Sequence, residues 1–599
     1  MSYPFSKHLF IVVVVMVFIS FTRSRAEDWR TYCEKSNFKK TPRYKETVAY
    51  ARRLAQASPW VSYATFGKSP QGRDLPLLIV NRNGHFNPGR VRADKQIVFY
   101  IQAGIHSGEI DGKDAGLMLI RDLVIDHKYP RLLDRVTILF NPIFNVDGHE
   151  RFGPYNRINQ NGPEEMGWRV TAQNLNLNRD YLKADAPEMK QFLRLYNTWL
   201  PEFFADCHVT DGADYQYAIS YMIDTQGLIH PNLVRWTQDK YLPPLKEAMK
   251  KSGFPLIEYV SLRKRHDVKS GIVTWTASPR FSNGFTPLYN RPGLLIETHM
   301  LKDYKTRVEA TYQILKHTLA ILNRNADELR REIEKADALT ASAEFRKEPF
   351  ALTYKQVPDS VMINFAGYAY QAVHSDLTGG IWYRYDEQKP QIFHIPYFNK
   401  MAPDIRVQLP EAYIIPAEWQ TVIDRIKLHG ISFRRLALPV TLTVDTYKFD
   451  RVRWQKAPYE GRQMVSFRAN PIRFTRKFPA GSIVIGMNQA RAKVIANILE
   501  PEAEDSFVHW GFFNAIFEQK EYVESYVIEN LARKMLKKDV KLRKEFQYKM
   551  KTDSAFAANP ARIRNWFYQR SLYRDQSKNV YPVGRILERN SLSTVIYKN

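Results

Sequence analysis

Residues Gln96-Ile97-Val98-Phe99-Tyr100-Ile101-Gln102 run without interruption into Ala103-Gly104-Ile105-His106-Ser107-Gly108-Glu109, and a helical pattern follows from Gly112 to Ile125. The first seven residues have the length and the β-branched, aromatic content of a buried strand. Compact apolar runs of the same kind recur at Leu75–Val80, Val136–Phe140, Phe203–Asp206 and Gly293–Glu297, with a second helical pattern at Ala186–Trp199. Strands spaced by helices predict an α/β architecture with a largely buried central sheet. In such sheets the chemistry sits where strands end.

The turn after Gln102 carries the first candidate groups. His106 and Glu109 stand three residues apart, so one nitrogen and one carboxylate can converge on a metal ion. Alone, H-x-x-E is a weak signal whose bland reading is a surface ion pair. Two further stations strengthen it. Phe203-Phe204-Ala205-Asp206-Cys207-His208 ends a strand on a third candidate ligand, a second imidazole, and Gly293-Leu294-Leu295-Ile296-Glu297-Thr298 ends another on a carboxylate. A buried-strand Glu is costly unless paired or functional.

In this order the four stations resemble the zinc carboxypeptidases of the carboxypeptidase A type, the M14 metallopeptidases. Gly67-Lys68-Ser69-Pro70-Gln71-Gly72-Arg73 is similar to that family's hairpin before the first core strand. Asn145-Val146-Asp147-Gly148 is similar to its N-P-D-G strand end, and Trp168-Arg169 and Asn178-Arg179 follow in family order. The similarity covers roughly residues 41 to 330. It implies a mixed central sheet flanked by helices, and one Zn2+ per chain held by His106, Glu109 and His208. It further implies that Glu297 is the general base activating a zinc-bound water, that Arg169 stabilises the oxyanion, and that Asn178 and Arg179 hold the terminal carboxylate of a peptide. The activity implied is release of a C-terminal amino acid.

Departures bear on the substrate. Asn176 stands where many relatives carry an Asp that supports a zinc histidine, and Val146 replaces the usual Pro. The substrate-capping tyrosine has no secure counterpart, and Arg280 is a candidate for the pocket in its place. Arg157 competes with Arg169 within one long loop. Bland readings remain beside each role: surface cations for the arginines, a turn for Asn178, a core histidine for His208, and a structural pair with His299 or Arg291 for Glu297.

Outward from this region, 599 residues suggest two to four domains. Lys7 precedes an apolar run from Leu9 to Phe21, and Ser24-Arg25-Ala26 is a small-x-small site, so residues 1–26 read as a signal peptide of an exported, periplasmic or extracellular protein. The run is short for a span of ~20 residues, so no transmembrane segment is expected after cleavage. The catalytic region is assigned to 27–343, including a long helix from Asp303 to Ala343. A β-rich accessory domain is assigned to 344–489, and a helical C-terminal region to 490–599, with helical patterns read in Val508–Phe517 and Glu524–Phe546.

The chain carries 88 Lys and Arg against 62 Asp and Glu, a net charge of +26. The segment 1–26 removes three basic residues and no acid, so the basic character is intrinsic, and it suits an anionic envelope surface. Basic and aromatic residues interleave at Arg562–Arg570, but export argues against nucleic acid, and a solvated helical face is the blander reading. Two cysteines, Cys33 and Cys207, exclude a disulfide-rich scaffold. Two alternatives to the carboxypeptidase reading stay open: a zinc amidohydrolase acting on cell-wall peptides or another carboxylate-bearing amide, and a non-catalytic envelope-binding protein.

Overall fold

The computed structural model describes residues 27–588, with Met1, 592–593 and 595–598. The signal segment at residues 2–26 lies outside the described residues. Ten strands precede residue 300: β1 (Val61–Lys68), β2 (Asp74–Val80), β3 (Ile97–Gln102), β4 (Val136–Asn141), β5 (Phe203–Thr210), β6 (Ile219–Ile223), β7 (Ile257–Glu258), β8 (Leu262–Lys264), β9 (Asp267–Val273) and β10 (Gly293–His299). Eight of them form one mixed sheet in the order β1-β2-β4-β3-β5-β10-β6-β7. β4, β3, β5 and β10 run parallel, β1 and β2 are antiparallel to their neighbours, and β6 is antiparallel to β10 but parallel to β7. Every residue of β3, β4, β5 and β10 is buried, which is why these runs are uniformly apolar rather than alternating.

The alternation of side chains along β3 divides the core into two layers. Ile97, Phe99 and Ile101 pack with helices Asp111–Val124 and Tyr304–Ala341. Val98 and Tyr100 face helix Pro187–Trp199 through Phe192 and Tyr196. Helix Asp111–Val124 lies close to β5 because Gly112 lacks a side chain: a Cβ there would sit 2.3 Å from the Cβ of Cys207. The long helix is capped by Asp303, which accepts the Thr306 N–H, and departs from helical geometry at Asn325.

The C-terminal half adds a six-stranded antiparallel sheet built from Ala412–Ile415, Arg434–Arg435, Val440–Trp454, Val465–Phe478, Ile483–Gly486 and Gly584–Ile586. A second hairpin, Val361–His374 with Ile381–Phe398, joins β9 in parallel at Tyr397↔Ile272 and Phe398↔Val273, so one sheet draws strands from both sides of residue 343. The apolar layer holding Phe192 and Tyr289 also holds Ile423, Phe507 and Tyr581.

Two sequence expectations for the tail change. Val508–Phe517 is turns with a short 3-10 segment, Asn514–Phe517, rather than a helix. Val508, Trp510, Phe513 and Phe517 are buried by tertiary packing, so no helical face is needed. The following helical pattern is two helices, Ser525–Lys538 and Val540–Thr552, broken at Asp539, whose carboxylate caps the second. Within Arg562–Arg570 the aromatic side chains Trp566, Phe567 and Tyr568 are buried in the helical cluster, so they offer no stacking platform.

Candidate active site

β3 delivers His106 and Glu109 to the C-terminal end of the parallel strands through a turn in which Gly104 takes φ +64°, a backbone region that favours glycine. The Glu109 N–H donates to the His106 carbonyl at 2.8 Å, closing the turn and bringing the two side chains together. β5 delivers His208, and β10 places Glu297 directly beside it, the two being register partners on adjacent parallel strands. All four side chains are buried.

His106, Glu109 and His208 each offer a ligand atom within 4.8 Å of the other two. Both histidines turn Nδ1 toward this cluster: His106 Nδ1 is 3.1 Å and His208 Nδ1 3.0 Å from the Glu109 carboxylate. Their outer nitrogens are held from behind. His106 Nε2 lies 3.0 Å from Asn176 Oδ1, and His208 Nε2 lies 2.9 Å from Asp206 Oδ2. Fixing one ring nitrogen fixes the tautomer that the other presents. His106 Nδ1 and Glu297 Oε2 are buried without a hydrogen-bond partner, a costly arrangement unless something else fills the centre. Two imidazoles and a carboxylate opening onto a cavity suit zinc with a vacant coordination position.

Electrostatics around the cluster are strongly uneven. Burial pushes the Glu109 carboxyl up, but the charges of His106 and Arg157 and hydrogen bonds from both histidines outweigh it and hold the group well below the usual carboxylate range. Burial takes His106 down to about 4. For His208, burial works downward while the Asp206 carboxylate prevails and raises it. Glu297 is pushed up to about 8, first by burial and then by the negative charges of Glu109 and Asp206 acting against His208 and Arg169.

A cavity of about 390 Å³ opens over these groups, and Arg157, Arg169, Asn178, Arg179 and Glu297 all line it. Arg157 and Arg169 both reach Glu109 Oε1 at 2.9 Å. Asn178 Oδ1 accepts the Ser282 N–H at 3.3 Å. Arg179 lies over the Phe281 ring at 4.4 Å and has no carboxylate partner among the described residues. The bland alternatives for Glu297 are taken up elsewhere: His299 Nε2 pairs with the Ala213 carbonyl, and Arg291 with Asp337. Arg280 is outside the cavity lining, its Nε 2.7 Å from Asp505, so burial of that pair places it in the fold rather than in the pocket. Tyr289 is in the core, hydrogen-bonded to His429. Cys207, on the opposite face of β5 from His208, is a buried free thiol, as is Cys33.

Sequence reasoning missed three groups here. Asp206 is two residues before His208, hence on the same strand face, and that spacing was the available signal. Tyr259 and Trp275, packed edge to face with centroids 5.0 Å apart, form a cavity wall; they stand on either side of β8 and β9 in irregular stretches that gave no periodic signal.

The zinc carboxypeptidase family model matches residues 47–216. The chain carries a zinc carboxypeptidase domain. The match contains His106, Glu109, Arg169, Asn178, Arg179 and His208, while Glu297 lies beyond it. The chain is similar to carboxypeptidase 2 of Trichophyton rubrum, 23% identical over 78% of this chain and 84% of that protein, and equally to that of Trichophyton equinum, 23% identical over the same shares. Among solved structures, a metallo-carboxypeptidase from Pseudomonas aeruginosa is 22% identical, covering 48% of this chain and 70% of its own, with a TM-score of 0.36. The matched segment thus spans the His106, Glu109 and His208 cluster, while Glu297 is set beside His208 by the register of β10 against β5.

Proposed function

We propose that this protein is a zinc-dependent carboxypeptidase that releases single C-terminal amino acids from peptides. The observation that carries the reading is the convergence, in one cavity, of the His106–Glu109–His208 cluster, a buried unpartnered Glu297, and Arg179 with no acid beside it. His106, Glu109 and His208 would hold the zinc ion. When bound, zinc supplies Lewis acidity, lowering the pKa of water and polarising a carbonyl.

The chain's own residues do the rest. Glu297 takes the proton of the attacking water as its oxygen bonds to the scissile carbonyl carbon. The same carboxyl then gives that proton to the leaving nitrogen as the C–N bond breaks. One carboxyl group serves both directions of transfer. Arg169 supplies positive charge to the oxygen on which negative charge develops. Asn178 and Arg179 bind the substrate's terminal carboxylate, Arg179 through a charge-assisted fork, and this selects for chain ends. The apolar and aromatic walls formed by Tyr259, Trp275, Phe281 and Leu295 favour an uncharged terminal side chain.

Among the described residues no helix is long and apolar enough to cross a membrane, and we propose export on the strength of the Leu9–Phe21 run. Two peptides that differ only in a free or amidated C-terminus test the reading. Stepwise release from the free end alone, abolished by a chelator and restored by zinc, is expected. Equal cleavage of both peptides would contradict it.

A further inference from the structure

Beyond Trp454 the ladder between Val440–Trp454 and Val465–Phe478 gives way to a tight turn, Tyr459-Glu460-Gly461-Arg462, closed by N–H to carbonyl bonds of 2.9 and 3.0 Å between its ends. Glu460 and Gly461 take φ of +50° and +73°, a pairing typical of hairpin turns, but the left-handed region is strained for glutamate. Such a residue persists when its surroundings hold it, and here they do. The Glu460 carboxylate accepts the Asn176 N–H at 2.8 Å. Arg462 forks onto Asp185, both bonds being 2.6 Å. The Tyr459 ring stacks on Trp510, which is fully buried and donates to Asp505 at 3.1 Å.

So anchored, the Tyr459 hydroxyl accepts a hydrogen bond from Arg179 Nε at 3.1 Å. The same guanidinium donates from Nη1 to the Asn178 carbonyl at 2.8 Å and lies over Phe281. All three contacts are with uncharged groups. A carboxylate in place of the hydroxyl would orient Arg179 equally well but would compete with an incoming carboxylate for its charge. A neutral acceptor fixes the plane of the guanidinium and leaves its charge available.

We propose that the turn 459–462 is a positioning element for substrate. Through Tyr459, the C-terminal half sets the orientation in which Arg179 receives the terminal carboxylate. The proposal rests on the reading of Arg179 given above, and the experiment separates the two. Tyr459→Phe keeps the ring on Trp510 and removes only the hydroxyl. Steady-state kinetics on a peptide with a free C-terminus are compared for wild type, Tyr459→Phe, Arg179→Met and the double variant.

The expected result is a KM raised by about tenfold in Tyr459→Phe, the scale of one lost hydrogen bond to a charged group. kcat should stay within about twofold, and the metal content and thermal midpoint should not change. Arg179→Met should raise KM further, and adding Tyr459→Phe to it should change nothing more, because the hydroxyl acts through Arg179. A wild-type KM in Tyr459→Phe beside an impaired Arg179→Met overturns the positioning role and leaves the function intact. An unimpaired Arg179→Met overturns the reading of Arg179 itself, and the proposal with it.

Discussion

Asp206→Asn isolates the support behind one ligand. Asp206 is fully buried, and its two oxygens are divided between His208 Nε2 at 2.9 Å and Gln102 Nε2 at 3.0 Å. Asparagine preserves shape and can still accept from His208 through its carbonyl, but the negative charge that makes the ring a stronger donor to a metal is gone. Its new amide would face the Gln102 amide. Gln102 Nε2 also donates to the Tyr181 hydroxyl at 2.6 Å, and its Oε1 has no partner, so the facing amides leave one buried donor unsatisfied whichever way Gln102 turns. The loss therefore falls on metal affinity, with a smaller cost of about 1–3 kcal/mol to the fold. Removing a partner of a metal-bound histidine costs about 10- to 100-fold in affinity, or about 1.4 to 2.7 kcal/mol. Competition with a chromophoric zinc chelator, at fixed pH, measures this directly. The metal-free thermal midpoint should move by no more than a few degrees. Unchanged zinc affinity in Asp206→Asn would refute the assignment of Asp206 as the support of His208.

Two further predictions concern the scaffold. Both carboxylate oxygens of Glu188 are buried without partners, and burial pushes its carboxyl up to about 7. A group that binds its proton more tightly when folded contributes most below its unfolded pKa of ~4.5 and loses that contribution as pH rises toward 7. Glu188→Gln should therefore be more stable than wild type by about 3 kcal/mol at pH 8, with the difference vanishing near pH 4. Urea denaturation at the two pH values checks it, and a pH-independent difference would contradict it. Gly112→Ala adds a methyl against Cys207 and should destabilise by about 1–3 kcal/mol through overpacking, although alanine is the better helix former by about 1 kcal/mol. A raised thermal midpoint would show that helix and sheet are less closely packed than described.

The catalytic half was largely legible in the sequence because its strands are buried on both faces. Ile97–Ile101, Phe203–Ala205 and Gly293–Ile296 are continuous apolar runs that lead into His106 with Glu109, His208 and Glu297 respectively. His106 with Glu109 is a local pattern, and His208 and Glu297 stand at strand ends, where period-two reasoning applies. What escaped has no local expression. Tyr459 meets Arg179 across 280 residues, and nothing in Pro458-Tyr459-Glu460-Gly461 marks more than a turn. Arg280 was placed by its position in the chain, whereas Asp505, distant in sequence, decides where it goes. Val508–Phe517 is rich in apolar residues because tertiary packing buries Val508, Trp510, Phe513 and Phe517, and periodicity cannot separate that from a buried helix.

The central claim, that Glu297 moves the proton in a zinc-dependent hydrolysis, is tested most directly by Glu297→Gln. Gln has nearly the same size, cannot accept the proton of water, and leaves His106, Glu109 and His208 in place. One zinc per chain in both proteins, with kcat reduced by about 10²- to 10⁴-fold in the variant, is the predicted result. Equal zinc content with an equal rate of release of the C-terminal residue would contradict it.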